Sequence, residues 1–227
     1  MKTDFFYKKR IVALAVCICC IFFMLGTFFY AGMLKRAERW AVRKSFYFLV
    51  KESTHIEASA EFVGLQGGAA YLLSYQGREY VTYSVYLSEE TGRAVQAVFN
   101  ESDAQLLCVS IADIYFKTKR EKGYKEEIKS AFKNLDGCMR FLNGVIDDLG
   151  SGGTQESAKR LLFSLEKQFS YLASIYIKIF PQYSSICKRG AKEISDLKAD
   201  IVYTKDLRYL LCLLADAYVT LGKIFSL

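Results

Sequence analysis

His55 is the only histidine in this chain of 227 residues. That excludes an imidazole pair for a metal and leaves one candidate base for any base–nucleophile dyad. It follows a short aromatic stretch, in a loop or first helical turn, and reads as a polar surface group. Of the seven cysteines, Cys17, Cys19 and Cys20 lie in an uncharged N-terminal run. Cys108, Cys138, Cys187 and Cys212 are far apart, without the C-x-x-C spacing of zinc or redox sites. The last three fall on helical patterns, where a thiol packs as a small hydrophobe. Glu89-Glu90 and Asp147-Asp148 are adjacent carboxylates, which point to different sides of a helix and make no acid–base pair. Gly67-Gly68 closes a helical stretch instead of opening one, so it is a turn and not a phosphate cradle. No Walker motif, nucleophile elbow or dinucleotide fingerprint is present. These residues predict a non-enzyme with no cofactor and no metal.

The elements that would position any binding residues begin at 45–111. FYFLV at 46–50 is strand-like, and His55 to Leu65 has helical spacing at Ile56, Ala60 and Val63. Ala70 to Tyr75 reads as a second strand, Gln76-Gly77 as a tight turn and Glu79 to Leu87 as a third strand. Ser88-Glu89-Glu90 opens a second helix running to about Phe99, and Ala104 to Ile111 closes the unit as a fourth strand. The order is βαββαβ. Its simplest packing is an antiparallel-type sheet with both helices on one face and the other face open.

FYFLVKESTHIEASA, then GGAAYLL, then REYVTYSVYLSEETGRAV resembles a SPOR domain, the bacterial module that binds septal peptidoglycan. The resemblance covers about a third of the chain. Where the family has Arg in strand three the chain has Tyr80, where it has Gly there is Ser84, and its strand-one Gln falls at Val50. The resemblance implies an RNP-like sheet, peptidoglycan glycan strands as ligand, and a role in division or sporulation beside proteins of those complexes. An RNA-recognition fold shares the element order. The N-terminal apolar run argues against nucleic acid, and KTKREK at 117–122 reads as a solvated helix start.

Residues 1–10 are short and basic, and from Ile11 to Leu34 no residue is charged. Such a helix would reach roughly 35 Å, enough to cross a bilayer core. The reading is a cytoplasmic tail (1–10), a transmembrane helix (11–34) and a basic juxtamembrane segment (35–44) with Trp40 at headgroup level. Charges flank both ends of the run, so they do not fix orientation by count. An extracytoplasmic C-terminal part, on a single-pass protein of the bacterial cell membrane, follows from the resemblance.

Beyond 111 the pattern becomes helical. Ile128, Phe132, Leu135, Met139, Leu142 and Ile146 alternate spacings of three and four, and Gly150-Ser151-Gly152-Gly153 breaks the run. A second stripe takes Leu161, Leu165, Phe169, Leu172, Tyr176 and Ile179, up to Pro181. A third uses Ile194, Leu197 and Ile201, and a fourth Leu207, Leu211, Leu214, Tyr218 and Leu221 after a break near Thr204. The fold class predicted is α+β: an N-terminal transmembrane helix, a SPOR-like βαββαβ domain (45–111) and an all-α helical bundle (112–227).

Strand alternation places Val81, Tyr83 and Val85 on the helix-covered face with Tyr47 and Leu49. Phe48, Val50, Arg78, Tyr80, Thr82 and Ser84 then fall on the open face as candidate glycan contacts, aromatic faces against sugar C–H patches and polar groups against hydroxyls. The alternative is that the helical part folds back and buries Phe48 and Tyr80. Ile128, Leu135, Met139 and Leu142 are the candidate partner-binding stripe. Two functions follow: a membrane-anchored, non-catalytic binder of septal glycan, or a membrane-anchored adaptor whose sheet binds no glycan.

Overall fold

Fifteen residues from Glu38 to Glu52 form β1, the strand to which the rest of the sheet is attached. A computed structural model describes residues 22–27, 37–53, 55–99, 103–199 and 201–226. After β1 come α1 (Ile56–Leu65), β2 (Tyr71–Tyr75), β3 (Arg78–Tyr86), α2 (Glu89–Val98) and β4 (Ala104–Phe116). The short α3 (Lys119–Gly123) leads into α4 (Lys125–Gly150), α5 (Gln155–Tyr176), α6 (Pro181–Ala199) and α7 (Thr204–Phe225). The four strands lie in the order β2-β3-β1-β4, every neighbouring pair antiparallel.

Local chemistry accounts for the joints. Gln76 and Gly77 have φ of 52° and 77°, the two left-handed residues of a tight hairpin turn between β2 and β3. Ser88 Oγ accepts the Thr91 N–H at 3.2 Å and starts α2, with Glu89 and Glu90 in its first turn. Thr118 and Glu121 form a reciprocal capping box at the start of α3, so the basic 117–122 run is a capped helix start. Pro181 is the first residue of α6, where its missing N–H would have had no helical partner.

The sheet has two unlike faces. On one, Leu49, Val81 and Tyr83 meet Val63 of α1, with Val95 of α2 alongside. On the other, Phe46, Phe48, Val50, Leu73, Tyr80, Val85 and Val109 belong to the same continuous core as α4 to α7. α7 lies against β2, β3 and β4 on this side and carries α4 and α6 behind it; α5 packs chiefly on α6.

Three expectations are corrected. The fold does not show the transmembrane helix: among the described residues no helix is long and apolar enough to cross a membrane. Of the 11–34 stretch only 22–27 is described, as helix; its remainder and residues 1–10 lie outside the described residues. The 22-residue α7 is long enough but carries Lys205, Asp206, Arg208, Asp216 and Lys223. Second, Glu38 to Lys44, expected as a basic juxtamembrane segment, is the first half of β1, paired with β4 from Glu38↔Phe116 to Lys44↔Ile111. Trp40 there packs edge-on against Phe132, ring centroids 5.9 Å apart, instead of anchoring at a headgroup layer. Third, the sheet and the helical bundle are not separate units with an open sheet face between them. The boundary expected at 111 falls inside β4, and one core runs through both.

Candidate functional site

The residues expected to bind glycan are positioned by β1 and β3 as neighbours, Phe48 opposite Val85 and Val50 opposite Thr82. The surface they were to form is not accessible. Phe48, Val50 and Thr82 are fully buried, and Tyr80 and Ser84 nearly so. A ligand platform needs exposed rings, and here α7 occupies the place a ligand would take. The Phe46 ring meets Tyr218 edge-on at 5.3 Å and Tyr71 meets Tyr209 at 5.4 Å. Tyr71 Oη donates to Asp216 Oδ2 at 2.7 Å, and Arg208 Nη1 donates to the Gly67 carbonyl at 2.9 Å. Burial and the Asp216 carboxylate together push the Tyr71 hydroxyl well above the usual tyrosine range. Arg78 alone of the six candidates is exposed, and it pairs with Glu52 at 3.2 Å.

The facing assignment also changes within β3. The β1–β3 register shifts between Leu49 and Val50, so Ser84 stands opposite Leu49 while Val85 stands opposite Phe48 and joins the bundle-side core. A bulge of this kind moves every later side chain to the other face. Val85 and Ser84 therefore exchange the roles that strict alternation gave them.

The partner-binding stripe is corrected too. Ile128, Leu135, Met139 and Leu142 are all buried where α4 packs into the core, and none is available to a second protein. What the pattern did not single out is the apolar residue set left over on α5. Phe163, Tyr171 and Ile175 lie off its core stripe and are exposed, Tyr171 by 64%. Lys167 Nζ and Lys198 Nζ stand 4.3 and 4.7 Å from the Phe163 ring centroid, and Lys198 is also paired with Glu166. The readable signal was the presence of large apolar residues outside the periodic stripe.

Three of the four described cysteines are shut away from solvent. Cys138, Cys187 and Cys212 are buried, and Cys108 is exposed. Burial pushes the Cys138 thiol up to about 12 and Cys187 up to about 11, and raises Cys212 as well, so these sulfurs stay protonated and are poor nucleophiles or metal ligands. His55 is exposed at the N-cap of α1 and makes no side-chain capping bond. Among the described residues no group of three His, Cys, Asp or Glu side chains is placed to hold a metal ion.

A groove of 380 Å³ lies between the start of α2 and α4 and is lined by Lys44, Ser88, Thr91, Arg140 and Asn143. It looks suited to an anion until its charges are followed. Asp136 binds Lys44 at 2.6 Å and Arg140 at 2.8 Å, so one carboxylate already clamps both cations and ties β1 to α4. Glu89 and Glu90 add negative charge at the same helix start.

No protein-family model, no curated protein and no solved structure matches this chain, and the likeness of residues 45–111 to SPOR domains rests on its sequence alone.

Proposed function

We propose that the chain is a non-catalytic protein–protein adaptor, whose sheet seats its own helices and whose outer helix α5 meets a protein partner. The observation that carries this reading is the burial of Phe48, Val50, Tyr80 and Thr82 beneath α7. A sheet closed in this way has no aromatic platform for a sugar, which favours the adaptor over the glycan binder. The exposed stripe of Phe163, Tyr171 and Ile175 supplies the alternative surface. Large aromatic side chains that stay solvent-exposed on a folded domain mark protein contacts more often than isolated aliphatic ones do. Lys167 beside the Phe163 ring, on a chain of net charge +7, favours a partner with an acidic border around an apolar centre. The partners that the SPOR resemblance implies, division or sporulation proteins, are the first to try.

The test uses the full chain, kept in solution with a mild detergent because of its uncharged 11–34 stretch. It is sedimented with purified cell-wall sacculi and, separately, cross-linked to candidate division or sporulation proteins. The adaptor reading expects no saturable sedimentation and a stoichiometric cross-linked partner that Tyr171→Asp abolishes while the circular dichroism is unchanged. Saturable binding to sacculi that Arg78→Ala removes would sink it in favour of the glycan reading.

A further inference from the structure

The two edges of the sheet are protected very differently. β2, at one edge, is five residues long. β4, at the other, is thirteen residues, roughly 43 Å of strand, and pairs with β1 alone among the described residues. A long free edge is a template for another strand, and proteins blunt it with lysine, proline or a covering element. Ala104 to Phe116 contains no lysine, arginine or proline, and Asp113 is its one charged residue.

Two further features lie along that edge. A groove of 320 Å³ runs beside it, bounded by Ser110, Asp113 and Tyr115 on the strand and by Gly222 and Lys223 at the end of α7. Asp113 uses Oδ2 to hold Arg39 at 2.9 Å, while its Oδ1 is buried and has no hydrogen-bond partner. A buried acceptor left unpaired is unfavourable.

The charges flanking the strand identify an occupant. Asp103 precedes β4 and Lys117 follows it, and both lie seven places from Ser110. When β4 pairs antiparallel with its own copy about a two-fold axis through Ser110, each Asp103 faces the other copy's Lys117, and the two ends of the ladder carry opposite charges. An axis through Cys108 instead sets Asp103 against Asp113. We propose that the chain forms a two-fold dimer through the free edge of β4, in the register centred on Ser110. Asp103 is half exposed and held at 2.6 Å by Lys51, and Lys117 donates to the Ser226 carbonyl, so on dimerisation each exchanges or shares that contact for an ion pair at the solvent border of the ladder. The sheet becomes continuous across both copies. This does not rest on the adaptor reading; if that also holds, the dimer displays two α5 stripes and binds a multivalent partner with avidity.

The experiment replaces Cys17, Cys19, Cys20 and Cys108 by serine in the full chain and introduces one new thiol at a time. Ser110→Cys is expected to give, with a short bismaleimide, a species of twice the 25.8 kDa monomer mass. Gln105→Cys is the distance control. In the proposed register it lies about 33 Å from its own copy, ten residues at ~3.3 Å each, and should not cross-link. Sedimentation equilibrium of the parent chain should show a dimer. Asp103→Lys and Lys117→Asp should each weaken it by roughly tenfold, and the double reversal should restore it. A monomer overturns the proposal, including one whose β4 amides resist hydrogen exchange, since the edge is then covered by the chain's own residues. Equal cross-linking at 105 and 110 overturns it as well, because the association is then without register.

Discussion

The two faces of the sheet obey the same alternation yet end in layers of very different weight. Toward α1 and α2, four residues are buried in a cluster of their own, and each of the two helices contributes one buried residue, Val63 and Gly92. Toward α7, the strand residues merge with a core that continues through α4, α5 and α6. α7 has twelve buried positions in 22 and is apolar nearly all round, the mark of a helix surrounded by other elements. Burial of apolar surface is the main stabilising term. The βαββαβ unit is therefore held more by the helices that follow it than by its own two.

The strongest way to break this comparison is at Phe132, which is buried where the sheet and bundle meet and touches Trp40, Phe180, Tyr218 and Phe225. Phe132→Ala should lower unfolding stability by about 3–5 kcal/mol in urea titration. Trp40, the only tryptophan, sits in β1 against Phe132 and reports on the contact of sheet and bundle, while far-UV circular dichroism reports mainly on the helices. One core implies that the two signals move together before and after the substitution. Separate midpoints would mean that the sheet and bundle are independent domains after all.

Alkali tests the same core by a different route. Cys138 and Cys187 titrate at about 12 and about 11 in the fold, against an ordinary 9.0, because burial disfavours the thiolate. The unfolded chain gives up these protons first, so their contribution is whole below pH 9 and is lost as pH rises toward 11–12. At about pH 10 the two thiols together should reduce stability by roughly 3 kcal/mol relative to pH 8. Replacing both by alanine should flatten that slope. An unchanged slope would place its origin elsewhere, in the buried tyrosines or in the ion pairs.

On the lighter face the effect should be smaller and local. Val63→Ala removes two buried methyl groups of α1, about 1–2 kcal/mol. Hydrogen exchange should quicken in α1 and leave α7 unchanged, because a thin layer opens without the main core. Equal quickening in α7 would show that the outer layer is coupled to the bundle and that the contrast between the faces is less sharp.

Element types and most helix ends could be read from spacing, for identifiable reasons. Gly150 to Gly153 separates α4 from α5, and the break before Thr204 separates α6 from α7, where the apolar period fails. The first half of β1 could not. Trp40 and Val42 keep the even-numbered spacing of Phe46, Phe48 and Val50, but Arg39, Arg43 and Lys44 stand among them. The bulge marked by the φ of 44° at Arg43 and the register shift between Ala41 and Lys44 leaves no signal in residue type, so the segment looks like a basic flank. β4 was read only to Ile111 because Ile114 and Phe116, also buried, resume three places on instead of two and so fall outside the alternation of Val109 and Ile111. The covered sheet face left a trace in α7. Beyond the expected stripe, Leu210, Cys212, Leu213, Ala215 and Val219 are also buried, a helix too apolar for one contact face. What covers a sheet is a long-range fact, and one stripe per helix does not encode it. The same limit put the partner stripe on α4, whose regular spacing of three and four is that of a buried face.

Thr82 gives the smallest effect and the most direct contrast between a core and a binding face. Its side chain is fully buried between β1 and β2, opposite Val50 and Tyr71, and Oγ1 has no hydrogen-bond partner. A hydroxyl that loses water on folding and gains nothing in return is unfavourable, and valine fills the same volume without it. Thr82→Val should therefore stabilise the chain by about 1 kcal/mol, seen as a higher urea midpoint with an unchanged slope. The opposite holds if this face is a working ligand surface. There the hydroxyl faces water or a sugar, its removal has no stability to gain, and an added exposed methyl favours aggregation. A variant no more stable than the parent would mean that α7 leaves this face in solution, and the sheet would again be a candidate platform.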